Sequence, residues 1–156
     1  MADMKRNPEP LSAALIGDLV RSRDVADRRG LHGALRGALE QVNDELGDEV
    51  VDPLRVTVGD EFQGRFATVG AAVHASMLLR LALSPDVDVR FGLAWGEVTV
   101  LDEDGTQDGP AWWAARDAIE WVAKTQSQAA MGEVRTAYRL AEGSDGPGEP
   151  AVNAAL

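Results

Sequence analysis

The chain has 156 residues, of which 45% are hydrophobic and 26% charged, the usage of one ordinary globular domain with or without a tail. Cysteine is absent, which excludes disulfide scaffolds, thiol nucleophiles, iron–sulfur clusters and Cys-type zinc sites, and the only histidines, His32 and His74, are too far apart in sequence to suggest a shared metal site. Twenty-six acidic residues against fifteen basic ones give a net charge of −11, a field that repels phosphate backbones and anionic lipid, so nucleic acid and membrane are not expected as partners of this segment.

Residues 1–10 are polar and carry two prolines, which predicts a flexible leader with no apolar stretch of a signal sequence behind it. No apolar run approaches the ~20 residues that span a bilayer, so a cytoplasmic setting is expected. Residues 11–20, LSAALIGDLV, form a nearly unbroken apolar stretch and predict a strand buried on both faces. A charged connector, RSRDVADRRG, follows. Leu31, Leu35, Leu39, Val42 and Leu46 recur at helical spacing and trace one face of a helix that stops at Gly47.

Leu54, Val56 and Val58 alternate with Arg55 and Thr57, a period-two strand. Gly59-Asp60 supplies a turn, and 61–66 returns as the second strand of a hairpin. Thr68 is a candidate cap for a helix carrying Val69, Val73, Met77 and Leu81, closed by Pro85; its His74 is expected to be partly buried. Val87 to Trp95 alternates with small or charged residues and is the clearest strand in the chain. It is expected to run on through 98–101 to a solvated acidic tip at 102–108.

Pro110 opens a third helix that runs to about Lys124 and carries two adjacent apolar lines, one for the core and one exposed enough for a dimer face. Residues 134–140 are a candidate last strand. Residues 141–156, rich in glycine, proline and acid at their start, predict a flexible linker or the start of a further segment. The order of elements describes one α+β domain over 11–140, with helices on one face of a mainly antiparallel sheet.

Acidic residues follow glycine at two strand ends, Gly17-Asp18 and Gly59-Asp60-Glu61. Glycine lets the backbone turn sharply there, and two carboxylates with open positions suit Mg²⁺ when a triphosphate supplies the other oxygens. The competing reading is an ordinary Gly-Asp turn pair at each place.

The segments GDLVRSR (17–23), VTVGDEFQG (56–64), RFGLAWGEV (90–98) and DGPAWWAARDAIE (108–120) resemble the SatD family in order and spacing. More distantly they resemble the core of class III nucleotidyl cyclases, and VGDEF is similar to the hairpin signature of the GGDEF diguanylate cyclases. That resemblance implies a ferredoxin-like, nucleotidyl cyclase-like fold that binds a purine nucleotide through Mg²⁺ or Mn²⁺, working as a homodimer. Asp18 and Asp60, 42 positions apart, would hold metal, with Glu61 in a lesser role and the Leu19 carbonyl as a further ligand. Val20, Arg21, Ser22 and Arg23 would lie by the phosphates, and Arg116 would stabilise the transition state from across a dimer.

Two departures from the cyclase pattern argue against cyclic-nucleotide synthesis. Trp112 stands where an asparagine orients the nucleotide, and Val56 stands where a lysine reads the purine. Neither replacement can make the same hydrogen bonds. The alternative is a non-catalytic regulatory or dimerisation module, since chains of the family commonly continue into a helix-turn-helix-like segment.

Overall fold

A computed structural model describes residues 10–20, 26–128 and 132–156. Its elements are β1 (Ser12–Val20), α1 (Arg28–Leu46), β2 (Val50–Val58), β3 (Glu61–Phe66), α2 (Val69–Leu83), β4 (Asp88–Gly96), β5 (Thr99–Val100), β6 (Gln107–Asp108), α3 (Pro110–Thr125), β7 (Thr136–Leu140) and α4 (Glu149–Ala154). Five strands form the main sheet in the order β2-β3-β1-β4-β7. β1 pairs antiparallel with β3 and β4, β2 with β3, while β7 joins β4 in parallel. The fold is α+β, as the sequence predicts, and the expected leader falls almost wholly outside the described residues.

Central β1 explains the layering. Its odd positions Ala13, Leu15 and Leu19 are buried in a core with Leu35, Leu39 and Val42 of α1 and Ala72, Ala75 and Leu79 of α2. Its even positions Ala14 and Ile16 are buried against Ala111, Ala115 and Ile119 of α3. The helices therefore do not all lie on one face: α1 and α2 cover one side, and α3 covers the other. A strand apolar at every position needs cover on both sides, so the uniform hydrophobicity of 11–20 and the expectation of a one-sided sheet were incompatible.

Close approach sets the α3 side. A Cβ added at Gly92 of β4 would lie 2.3 Å from the Ala115 carbonyl oxygen and 2.6 Å from the Ile119 nitrogen, so this glycine lets helix backbone rest on the strand. On the other side Asn43, in the last turn of α1, bonds both backbone groups of Leu54, accepting from its N–H at 2.8 Å and donating to its carbonyl at 3.0 Å. This occurs where the β2–β3 register shifts and Pro53 interrupts β2, an edge strand that tolerates the proline.

Three local expectations change. β4 ends at Gly96, and β5 pairs with β6 in a separate ribbon around the acidic tip. His74 is exposed on α2, whose buried line passes through Ala71, Ala72, Ala75 and Leu79 instead. Residues 141–156, read from composition as a flexible linker or the start of a further segment, lie against β7. Tyr138 donates its hydroxyl proton to the Pro147 carbonyl at 2.8 Å, and Trp95 donates its indole N–H to the Asp145 carbonyl at 3.1 Å. Glycine and proline there shape a docked strap.

Gly92→Ala must push α3 off β4, an overpacking cost of about 1–3 kcal/mol that lowers the melting temperature by roughly 3–10 °C in a domain of this size. Thermal unfolding checks this; a variant that melts with the wild type would contradict the close contact.

Candidate functional site

The site lies at the end of β1, on the α3 side of the sheet. Asp18 follows Ala14 and Ile16 along the α3-facing positions of the strand, and its register partner on β4 is Arg90. Cross-strand neighbours of opposite charge meet directly. Arg90 donates from Nε to Asp18 Oδ1 at 2.8 Å and from Nη2 to Oδ2 at 3.2 Å, a two-pronged contact.

On the other flank, Gly17 pairs with Phe62, which sets Asp18 beside Glu61, the first residue of β3. Gly17 does not turn the chain: β1 runs on through Val20, and its missing Cβ instead makes room for the Phe62 ring, whose Cζ would lie 2.3 Å away. Gly59 does turn it. Its φ of 59° lets β2 reverse into β3 and holds Asp60 in the hairpin loop.

Arg116 comes from α3. It donates from Nη1 to Glu61 Oε2 at 2.9 Å and from Nη2 to Oε1 at 2.5 Å, within the same chain. The hydrogen bond to Glu61 and the charges of Glu61, Glu120 and Asp18 hold its guanidinium above the usual arginine range, against partial burial. Asp18, Asp60, Glu61, Arg90 and Arg116 thus form one electrostatic cluster.

Asp18 responds to that cluster. Burial pushes its carboxyl above the ordinary 3.8, and the negative charges of Asp60 and Glu61 push the same way, against the Arg90 hydrogen bond and charge. The charged form is therefore disfavoured despite a bidentate arginine. A cation at this point would relieve it.

Other predicted residues take different places. The Leu19 side chain is buried in the α1–α2 core, so only its backbone bears on the site, and Val20 is half-buried beside it. Arg21, Ser22 and Arg23 lie outside the described residues. Among the described residues, no three His, Asp or Glu side chains are grouped so as to hold a metal ion. An ion here would draw the rest of its shell from backbone, water or a ligand.

Sequence reading missed two features. Arg90 was visible only as a polar position in an alternating strand, and its meeting with Asp18 depends on the β1–β4 register. A polar chain also links the sheet to α3. Arg65, with its side chain only 5% exposed, pairs with Asp52 and donates to Ser12. Gln107 donates to Asp52 at 2.6 Å and accepts from the Trp112 indole at 3.1 Å. Trp112 is anchored there, one helical turn before Arg116 on the same flank of α3.

In EDTA, the Asp18 carboxyl titrates above 3.8. With the folded value raised, stability attributable to this group falls as pH rises from 3.8 through the folded value. Glu61→Gln removes one negative neighbour and lowers the Asp18 value, read by carboxyl-carbon NMR. Titration of Asp18 at or below 3.8 in the wild type would contradict this electrostatic picture.

Comparison with solved structures shows the same fold. A bacterial light-regulated adenylyl cyclase matches 86% of this chain and 44% of its own, at 14% identity and a TM-score of 0.65. A dimeric guanylyl cyclase domain of the RhoGC fusion protein from the aquatic fungus Blastocladiella emersonii matches 72% of this chain and 74% of its own, at 15% identity and a TM-score of 0.57. The catalytic core of a rhodopsin-guanylyl cyclase with converted specificity, solved with ATPαS, matches 70% and 71%, at 15% identity and a TM-score of 0.57. No curated protein matches the sequence. The model of the SatD family matches residues 12–149, nearly the whole described domain, and the chain belongs to the SatD family.

Proposed function

We propose that this chain is a metal-dependent purine nucleotide-binding domain, acting as a homodimer, in which Asp18 and Asp60 hold Mg²⁺ or Mn²⁺. The observation that carries the reading is geometric: Asp18, half-buried near the end of β1, lies beside Glu61 across the β1–β3 ladder, and burial with the charges of Asp60 and Glu61 pushes its carboxyl up. Hard carboxylate oxygens suit these cations, and a triphosphate completes the shell. Arg90 does not preclude this, because a carboxylate has about four lone-pair directions and can serve an arginine and an ion together. The ion would neutralise phosphate charge. The structural relatives support a nucleotide as the ligand, since one was solved with ATPαS and others are adenylyl or guanylyl cyclases.

The chain's own residues would share the work of binding. The backbone at Leu19 and Val20 would face the phosphates. Arg116 would exchange Glu61 for phosphate oxygens, in its own protomer or in the partner.

Two residues stand against cyclic-nucleotide synthesis. Val56 packs against the α1–α2 core, so it offers no side chain to a purine, and Trp112 is committed to Gln107. Those two residues favour the second reading, a non-catalytic regulatory or dimerisation module. The exposed Trp113 and Trp121, at 58% and 41%, are the apolar surface such a module would use.

Nucleoside triphosphate with Mg²⁺ or Mn²⁺ at 100 times its dissociation constant adds about 2.7 kcal/mol, a rise of roughly 5–10 °C in melting temperature. Asp18→Asn and Asp60→Asn abolish the rise, as does EDTA. No shift with any triphosphate would sink the nucleotide reading, and a dimeric mass by light scattering would then leave the dimerisation module standing.

A further inference from the structure

β7 is an edge strand, yet its outer groups are held by side chains of the chain's own tail. Its Ala137 and Arg139 turn their backbone groups toward β4, so Tyr138 and Leu140 turn theirs outward. Asn153 of α4 meets Tyr138 as another strand would. Its Oδ1 accepts from the Tyr138 N–H at 2.9 Å, and its Nδ2 donates to the Tyr138 carbonyl at 3.0 Å. Glu149 accepts from the Leu140 N–H at 3.0 Å. An amide side chain that bonds both backbone groups of one residue also occurs at the other edge, where Asn43 serves Leu54.

We infer that α4 and the strap before it stand in for a sixth strand, and that releasing them opens the outer edge of β7 to pairing with a second copy of this chain. Unpaired edges are templates for another strand, and natural sheets cover them. The strap is held mostly by single polar contacts, namely the Asn153 and Glu149 bonds, the Arg139–Glu149 ion pair at 4.0 Å, the Tyr138 hydroxyl on Pro147 and the Trp95 indole on Asp145, with Val152 alone of α4 packed on the main core. α4 itself has six residues and buries none of them fully. Such a segment opens at far lower cost than the core.

The strand is suited to its own copy. Thr-Ala-Tyr-Arg-Leu contains no proline or glycine to break a ladder. Antiparallel pairing about a two-fold axis at Tyr138 sets Tyr138 against Tyr138, Thr136 against Leu140 and Ala137 against Arg139. The two arginines never face each other, and the outward backbone groups of Tyr138 and Leu140 that the tail now holds are those the new ladder would use. The two-fold axis closes the assembly at two copies.

The test is light scattering of the full chain carrying both Asn153→Ala and Glu149→Ala. The mass is expected to be double that of the wild type at equal concentration, whatever state the wild type has. Adding Leu140→Pro removes one outward N–H and restores the wild-type mass. A double variant of unchanged mass overturns the proposal. Hydrogen exchange on the wild type keeps it testable if the variant fails to fold: the Tyr138 and Leu140 amides exchange at least tenfold faster than those of Ala137 and Arg139 under conditions of local opening, and equal protection would overturn it.

Discussion

Three carboxylates converge at one end of the sheet, and the fold tolerates them because two arginines reach in from neighbouring elements. Arg90 comes across the β1–β4 ladder to Asp18, and Arg116 comes from α3 to Glu61. The pairing is incomplete compensation, because burial and the remaining negative charge still hold the Asp18 carboxyl high. Residues under such electrostatic strain are a recurring mark of functional sites, where a cluster costs stability in the free protein and is relieved by a ligand. Each element at this corner is placed by ordinary packing. β1 is fixed between two helical layers, the hairpin by Gly59, and α3 by the bare backbone of Gly92.

The arginine arrangement also changes how Arg116 is understood. By resemblance it is a group that acts on a partner's ligand, but in this chain it grips Glu61 of its own site. A guanidinium held bidentately within the cluster offsets one of its negative charges. Trp112, one turn earlier, is fixed through Gln107 and Asp52 to buried Arg65. The polar chain therefore sets the position of α3 over the hairpin as well as packing does.

Much of this was legible in the sequence. Period-two alternation located the β2–β3 hairpin and β4, and helical spacing located α1 and α3; α2 is a helix as expected, but its predicted line ends in the exposed Met77 and Leu81, and the buried line runs through small residues at Ala71, Ala72 and Ala75. The nearness of Asp18 to Asp60 and Glu61 was also accessible, since glycine precedes each acidic position and the segments resemble a known family in spacing. What the sequence hid depends on register and on faces. Arg90 meets Asp18 only once β1 and β4 are aligned. His74 sits within an apolar helix, but the buried line passes one residue to its side. The tail misled by composition: its glycines and prolines permit a tight path, and Asn153 and Glu149, whose contacts fix that path, are common surface residues.

The most direct test of the central claim is paramagnetic broadening of backbone amide signals by Mn²⁺ with a nucleoside triphosphate. The account predicts broadening centred on Asp18, Leu19, Asp60 and Glu61, fading toward β7, and lost in Asp60→Asn. Broadening centred instead on the acidic tip at 102–108, or unchanged in Asp60→Asn, would contradict it.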